Sequence, residues 1–125
     1  MKSNSFEIAV MPGEGIGPEV MGAAVAVLEA VEKRHDLSLA RTVLTGGAHQ
    51  WKATGVAMTE ETFVAAEKAD AILFGAMGWP DIRRPDGTEP APQLDLRFRM
   101  GLYAGPAPDP RHSRRASRPR LPARA

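Results

Sequence analysis

The sequence predicts an α/β fold with a parallel or mixed sheet and flanking helices, and three observations carry that prediction. Short apolar runs at residues 6–11 (FEIAVM) and 71–74 (AILF) each stop at glycine or proline, as buried strands feeding loops do. Two segments between them place apolar residues at helical spacing. Strand and helix signals therefore alternate along the chain, the order from which parallel sheets are built.

Each element has its own local reason. The first strand, 6–11, ends at Pro12-Gly13. Pro18 suits the first position of a helix, where its missing N–H costs nothing, and Val20, Ala23, Ala24, Val27, Leu28 and Val31 then recur on one side as far as Arg34-His35. Lys33, Arg34 and His35 in the last turn complement the negative end of the helix dipole. Residues 37–45 are rich in β-formers and precede Gly46-Gly47, which predicts a second strand. Thr59 followed by Glu60-Glu61 marks a capped helix running to about residue 69. The run 71–74, closed by Gly75, is the third strand. Residues 78–92 hold Pro80, Pro85, Pro90, Pro92 and Gly87 and read as a long loop, a candidate rim of a site. Residues 94–103 form a helix with Leu94, Phe98 and Leu102 on one face.

Composition narrows the function. With 125 residues the chain makes one small domain, and with no cysteine it has neither a disulfide framework nor a thiolate metal site. The start lacks the basic and apolar regions of a signal peptide, and no apolar run approaches the roughly 20 residues that span a bilayer. A cytoplasmic protein with no membrane partner is expected. The net charge of +1 is unevenly spread: residues 1–105 carry 10 Lys/Arg against 14 Asp/Glu, whereas 106–125 carry six arginines against Asp109 alone. That last segment, with five prolines and four alanines, is expected to be a disordered Pro/Arg-rich tail. Its composition is what a GC-rich gene read out of frame would give, with an inert solvated tail as the alternative reading. Nucleic-acid binding is disfavoured, because no aromatic is interleaved with the arginines. His35, His49 and His112 lack metal-ligand spacing and read as solvated or structurally bonded. Trp51 and Trp79 read as packing beneath a loop, and Glu60-Glu61 as a helix start.

The segment Gly13-Glu14-Gly15-Ile16-Gly17-Pro18-Glu19 follows a strand and opens a helix, so a nucleotide or a carboxylate can approach its backbone. It is not a dinucleotide fingerprint, since Pro18 stands where the third glycine of G-x-G-x-x-G belongs. On spacing alone a tight strand-to-helix turn is the better explanation.

The stretch MPGEGIGPEV nevertheless resembles the opening motif GDGIGPE of the β-decarboxylating dehydrogenases, the family of isopropylmalate, isocitrate and tartrate dehydrogenases. AILFGAMGWP at 71–80 is similar to the family's A-x-L-x-G-A-x-G-x-P, and LDLRFRMGLYAG at 94–105 to its L-x-L-R-x-x-x-x-L-x-A-x helix. The three motifs come in the family's order and span residues 6–105. The resemblance implies an isopropylmalate-dehydrogenase-like fold, of which 1–105 would be the N-terminal part of the large domain, an incomplete half. It implies oxidative decarboxylation of a small 2-hydroxy acid, a 3-substituted malate, with NAD (or NADP) and Mg²⁺ or Mn²⁺, by a homodimer. Arg97 falls on the family's first substrate arginine, where a guanidinium can hold a carboxylate through two parallel hydrogen bonds. Gln93 falls where the substrate's side group is met, and matches neither the apolar contact expected for isopropylmalate nor the usual isocitrate pattern. Ile16, Gly17 and Glu19 fall near the cofactor, as do Gly75 and Gly78 towards its nicotinamide end. Arg99 is expected to be a solvated surface charge.

The departures imply a chain inactive on its own. Glu14 replaces the commoner aspartate. Ala107 stands where the second substrate arginine belongs, and nothing downstream resembles the third arginine, the catalytic tyrosine and lysine, the metal-binding aspartates or the adenosine loop. No catalytic residue and no metal ligand is therefore assigned. An open sheet edge and an unpartnered apolar face are expected to make the chain prone to aggregation.

Overall fold

The computed structural model describes residues 4–105, and the expectations for the tail at 106–125 lie outside them. Three strands, β1 (Ser5–Met11), β2 (Ser38–Val43) and β3 (Ala71–Phe74), form one all-parallel sheet in the order β2-β1-β3. The first strand is thus central, pairing Ile8 with Arg41 on one side and with Ala71 on the other. Its C-terminal end is sealed, with Ala9, Val10 and Met11 all buried.

The helices are α1 (Gly17–His35), α2 (Ala48–Thr54), α3 (Glu60–Lys68) and α4 (Pro92–Arg99). In α1, Pro18 occupies the first turn as expected, and Asp36 closes the helix in the left-handed region at φ 51°. Glu32 fastens this end to the sheet, accepting from the Leu39 N–H at 2.6 Å and the Arg41 guanidinium at 2.7 Å. The face turned inward, however, overlaps the predicted one only in part: Ala24 and Leu28 of the predicted stripe are half-buried. Gly17 and Met21 are buried, whereas Val20, Val27 and Val31 lie on the exposed side together with Ile16. β-Branched residues at helical spacing identify an apolar stripe, and here that stripe points outward.

Thr59 caps α3 by accepting from the Thr62 N–H at 3.2 Å, as its type and position predict. The main core lies between the sheet and α3 and α4: Met11, Met58, Phe63, Ala66 and Leu96, flanked by Ile72, Phe74 and Met100.

Helix α4 departs from expectation at both ends and in its facing. It starts at Pro92 and stops at Arg99, where Gly101 turns left-handed at φ 64° and the Leu102 N–H closes back onto the Arg97 carbonyl at 2.9 Å. Leu96 faces the core, and the predicted apolar face, Leu94, Phe98 and Leu102, is exposed, Phe98 to 80%. The span before it is a loop, as the prolines indicate. Ile82, Pro90 and Pro92 anchor it by burial, and Arg83 pairs with Glu89 at 2.9 Å across its base. No helix among the described residues is long and apolar enough to cross a membrane.

Candidate functional site

The strand order puts a crossover in each direction from β1: the chain leaves towards β2 on one side and arrives at β3 on the other. In open parallel sheets the two loops that diverge at such a point leave a crevice beyond the carboxyl ends of the strands, and ligands bind there. The loops after β1 and β3 line a cleft of about 340 Å³, bounded by Glu14, Gly15, Ile16, Met77, Gly78 and Trp79 among others.

Backbone contacts lock these loops together. The Glu14 N–H donates to the Ala76 carbonyl at 2.8 Å and the Gly17 N–H to the Glu14 carbonyl at 2.9 Å. A β-carbon at Gly75 would land on the Pro12 carbonyl, and one at Gly13, which also sits at φ 87°, on the Ala76 carbonyl. Side chains are excluded at these positions by contact between main chains.

Glu14 is the best-fixed charge at the cleft. Its side chain is only 8% exposed and reaches across to the start of α2, accepting from the N–H groups of Ala48 at 2.9 Å and His49 at 2.7 Å, and lying 2.8 Å from His49 Nδ1. Burial raises its pKa, but the two backbone N–H groups and the His49 ring outweigh that, so the carboxyl is held below its ordinary value. Gly47 makes this approach possible: at φ 126°, any β-carbon there would lie 2.7–2.8 Å from the Glu14 oxygens. The His49 ring stands edge-on to Trp79, centroids 4.6 Å apart. Trp79 is therefore a wall of the cleft, 36% exposed, and not a residue packed beneath a loop.

Of the residues assigned to the cofactor by sequence, the structure brings Ile16 and Gly78 together in this cleft. Gly17 is buried beneath it, Gly75 packs against Pro12 behind it, and Glu19 is exposed in the first turn of α1. His49 has no local signal in the sequence, because its significance depends on Glu14, 35 residues earlier in the chain.

The two residues assigned to substrate lie elsewhere, four apart on α4, which puts them on one helix face. With Ile72, Phe74, Leu96 and Leu102 they line a second cavity of about 280 Å³. The Arg97 side chain is exposed and has no acceptor among the described residues; a β-carbon at Gly105 would come within 3.5 Å of its Nη2. Arg99 is the opposite case. Its guanidinium reaches both Glu60 oxygens, at 2.7 and 2.9 Å, and lies 3.5 Å over the Phe63 ring. Arg99 is exposed, as expected of a surface charge, but it is a paired one: a helix position that looks outward on its own helix meets α3 in the fold.

Residues 7–110 match the isocitrate/isopropylmalate dehydrogenase family. The chain belongs to that family. It is 40% identical to the 3-isopropylmalate dehydrogenase of Geobacter metallireducens over 109 residues, 85% of this chain and 30% of that protein. It is 40% identical over 106 residues to that of Moorella thermoacetica, again covering 30% of the relative. Among solved structures, the apo β-decarboxylating dehydrogenase of Thermococcus kodakarensis superposes with a TM-score of 0.66 at 38% identity, over 78% of this chain and 27% of that one. The α/β fold expected from sequence is thus part of a β-decarboxylating dehydrogenase fold, with its sheet parallel throughout. The chain spans about 30% of the length of the curated relatives it matches.

Proposed function

We propose that this chain supplies the first substrate arginine and the cofactor-facing cleft of an NAD-dependent dehydrogenase that oxidatively decarboxylates a 3-substituted malate, and that by itself it binds without turning over. The observation that carries this reading is the Arg97 guanidinium, without an acceptor among the described residues, beside a mostly apolar cavity. One substrate carboxylate would accept two parallel hydrogen bonds from Arg97 while the substituent enters between Ile72, Phe74, Leu96 and Leu102.

The cleft between Ile16 and Gly78 is the proposed seat of the nicotinamide end of NAD, with NADP the alternative. Bound there, a nicotinamide would accept hydride from the substrate carbinol. The chain's own part is to present locked backbone and the Trp79 face to the ring. Mg²⁺ or Mn²⁺ does not fit this segment: among the described residues no group of three or more His, Asp or Glu side chains could hold an ion. No step on this chain is assigned to a metal.

The test is calorimetric titration of the chain with 3-isopropylmalate, with NADH formation followed in parallel. The expected result is binding in the millimolar range, typical of a ligand held by few contacts, lost in Arg97→Met, with no NADH produced. Equal binding by Arg97→Met would overturn the substrate assignment. A second reading, a non-catalytic nucleotide-binding module, is favoured by the pre-formed cleft; it predicts NAD binding that is weakened by Gly78→Val and indifferent to Arg97→Met.

A further inference from the structure

Trp79 has a firmly held backbone and a loosely held ring. Its carbonyl accepts from the Ile82 N–H at 3.0 Å, and it stands between Gly78, at φ 121°, and Pro80. The side chain, in contrast, has no hydrogen-bond partner among the described residues. Two neighbours flank it: the backbone of Gly15, where a β-carbon would lie 3.7 Å from the indole Cζ3, and the His49 ring, 4.6 Å away between centroids and inclined at 71°. The torsion that turns a tryptophan ring is broad, so flanking contacts decide which way it faces. His49 can serve as such a stop because it is itself fixed. Its side chain is 56% exposed, so packing does not hold it. Glu14 does. That carboxyl, held below its ordinary pKa, is ionised at neutral pH and has no proton to give, so His49 Nδ1–H is the donor at 2.8 Å. The His49 backbone N–H donates to the same oxygen at 2.7 Å, which restrains the imidazole at its root and at its ring.

We propose that His49 is a positioning residue for the cofactor cleft: anchored by Glu14, it holds the Trp79 ring in the direction that receives the nicotinamide. This rests on the cofactor reading of the cleft and adds to it a residue that is not among the cleft's own lining. A ligand that binds one ring direction has an apparent affinity set by the fraction of chains in that direction. An edge-on aromatic pair is strong enough to change that fraction about three- to tenfold. The constraint runs from the loop after β1, through the start of α2, to the loop after β3, so three segments far apart in sequence fix one wall. Helix α2 buries Ala48 alone of its seven residues, which leaves its hold on Trp79 as its main contribution at the cleft.

The experiment titrates NAD into the 125-residue chain and into His49→Ala, His49→Phe, Trp79→Leu and the double variant His49→Ala/Trp79→Leu. Affinity is read from the backbone amide resonances of Ile16 and Gly78 in ¹⁵N-resolved spectra, which every variant retains. The indole N–H resonance of Trp79, identified by its loss in Trp79→Leu, reports the ring itself. His49→Ala is expected to weaken NAD about three- to tenfold and to shift the indole resonance before any NAD is added. His49→Phe, which restores a ring but not its bond to Glu14, should recover part of the affinity. Both substitutions at 49 keep the backbone N–H bond to Glu14, so the start of α2 stays capped. In the Trp79→Leu background His49→Ala should change nothing further, because its effect passes through the indole. An unchanged affinity in His49→Ala, an indole resonance that does not move, or an equal loss in the Trp79→Leu background overturns this inference and leaves the cofactor reading intact. Absence of NAD binding by the native chain overturns both.

Discussion

Glu14 holds His49 at two points, through the backbone N–H at 2.7 Å and through the ring Nδ1 at 2.8 Å, across 35 residues of sequence. A glutamate in the first loop thereby serves as the cap of α2, whose own N-cap position is Gly47 and offers no side chain. Replacing Glu14 by alanine is expected to cost about 1–2 kcal/mol, the upper range for loss of a cap, read as a shift in the urea unfolding midpoint. Glu14→Asp, one methylene shorter, is expected to fall between the two. An unchanged midpoint in Glu14→Ala would show that the cap contributes nothing.

The same carboxylate sets an acid dependence. Its pKa is held below the ordinary value of 4.5, so the stability it contributes is fully present above that value and is lost as the pH falls through the folded-state value. Glu32, held down chiefly by its hydrogen bond from Arg41, and Glu60, by its bond from Arg99, act in the same direction from more open positions. Unfolding followed from pH 7 to pH 3 should show a stability that is flat at first and then declines. In Glu14→Gln the decline should be shallower; an identical slope would remove Glu14 from the account.

Arg99 joins α4 to α3 through its Nη2, which donates to both Glu60 oxygens, and by lying over Phe63. Two kinds of contact imply a graded series. Glu60→Gln keeps the ring contact and should be the mildest change, Arg99→Lys keeps a charge but loses the flat guanidinium over Phe63, and Arg99→Ala loses everything. Thermal melts should rank in that order. If Glu60→Gln and Arg99→Ala melt together, the ring contact contributes nothing.

Ile16, Val20, Val27 and Val31 form an uncovered ridge on α1, with Val27 64% exposed. Such a ridge promotes self-association without contributing to the core. Val27→Lys should raise the concentration at which the chain stays monomeric in sedimentation while leaving its melting temperature within the scatter of surface substitutions. A large fall in melting temperature would mean that the ridge is packed in solution.

Sequence was most informative where the signal is local. Pro18, the Thr59 cap and the run 71–74 closed by Gly75 each specify their element through nearest neighbours, and the structure has each in place. It was silent on α2, because a seven-residue helix capped from 34 residues away has no local signature. It placed the inward side of α1 right only at Ala24 and Leu28 and misjudged that of α4, since an apolar stripe identifies a face but not what covers it. The cleft shows the same division. Gly13 and Gly75 are legible as breakers, but that their backbones press on Ala76 and Pro12 follows only from β1 and β3 lying side by side.

The central place of β1 also has a consequence in time. It leaves the ribosome before either of its partners, yet the second of them begins about 60 residues later, so at about 5–20 residues per second it waits roughly 3–12 s for its pairing with β3. During that interval Ala9, Val10 and Met11, the most deeply buried part of the strand, have one neighbour at most. A nascent chain of this topology is therefore a client for whatever shields apolar segments at the exit tunnel, and synonymous codons that slow translation between Val43 and Ala71 would lengthen its exposure.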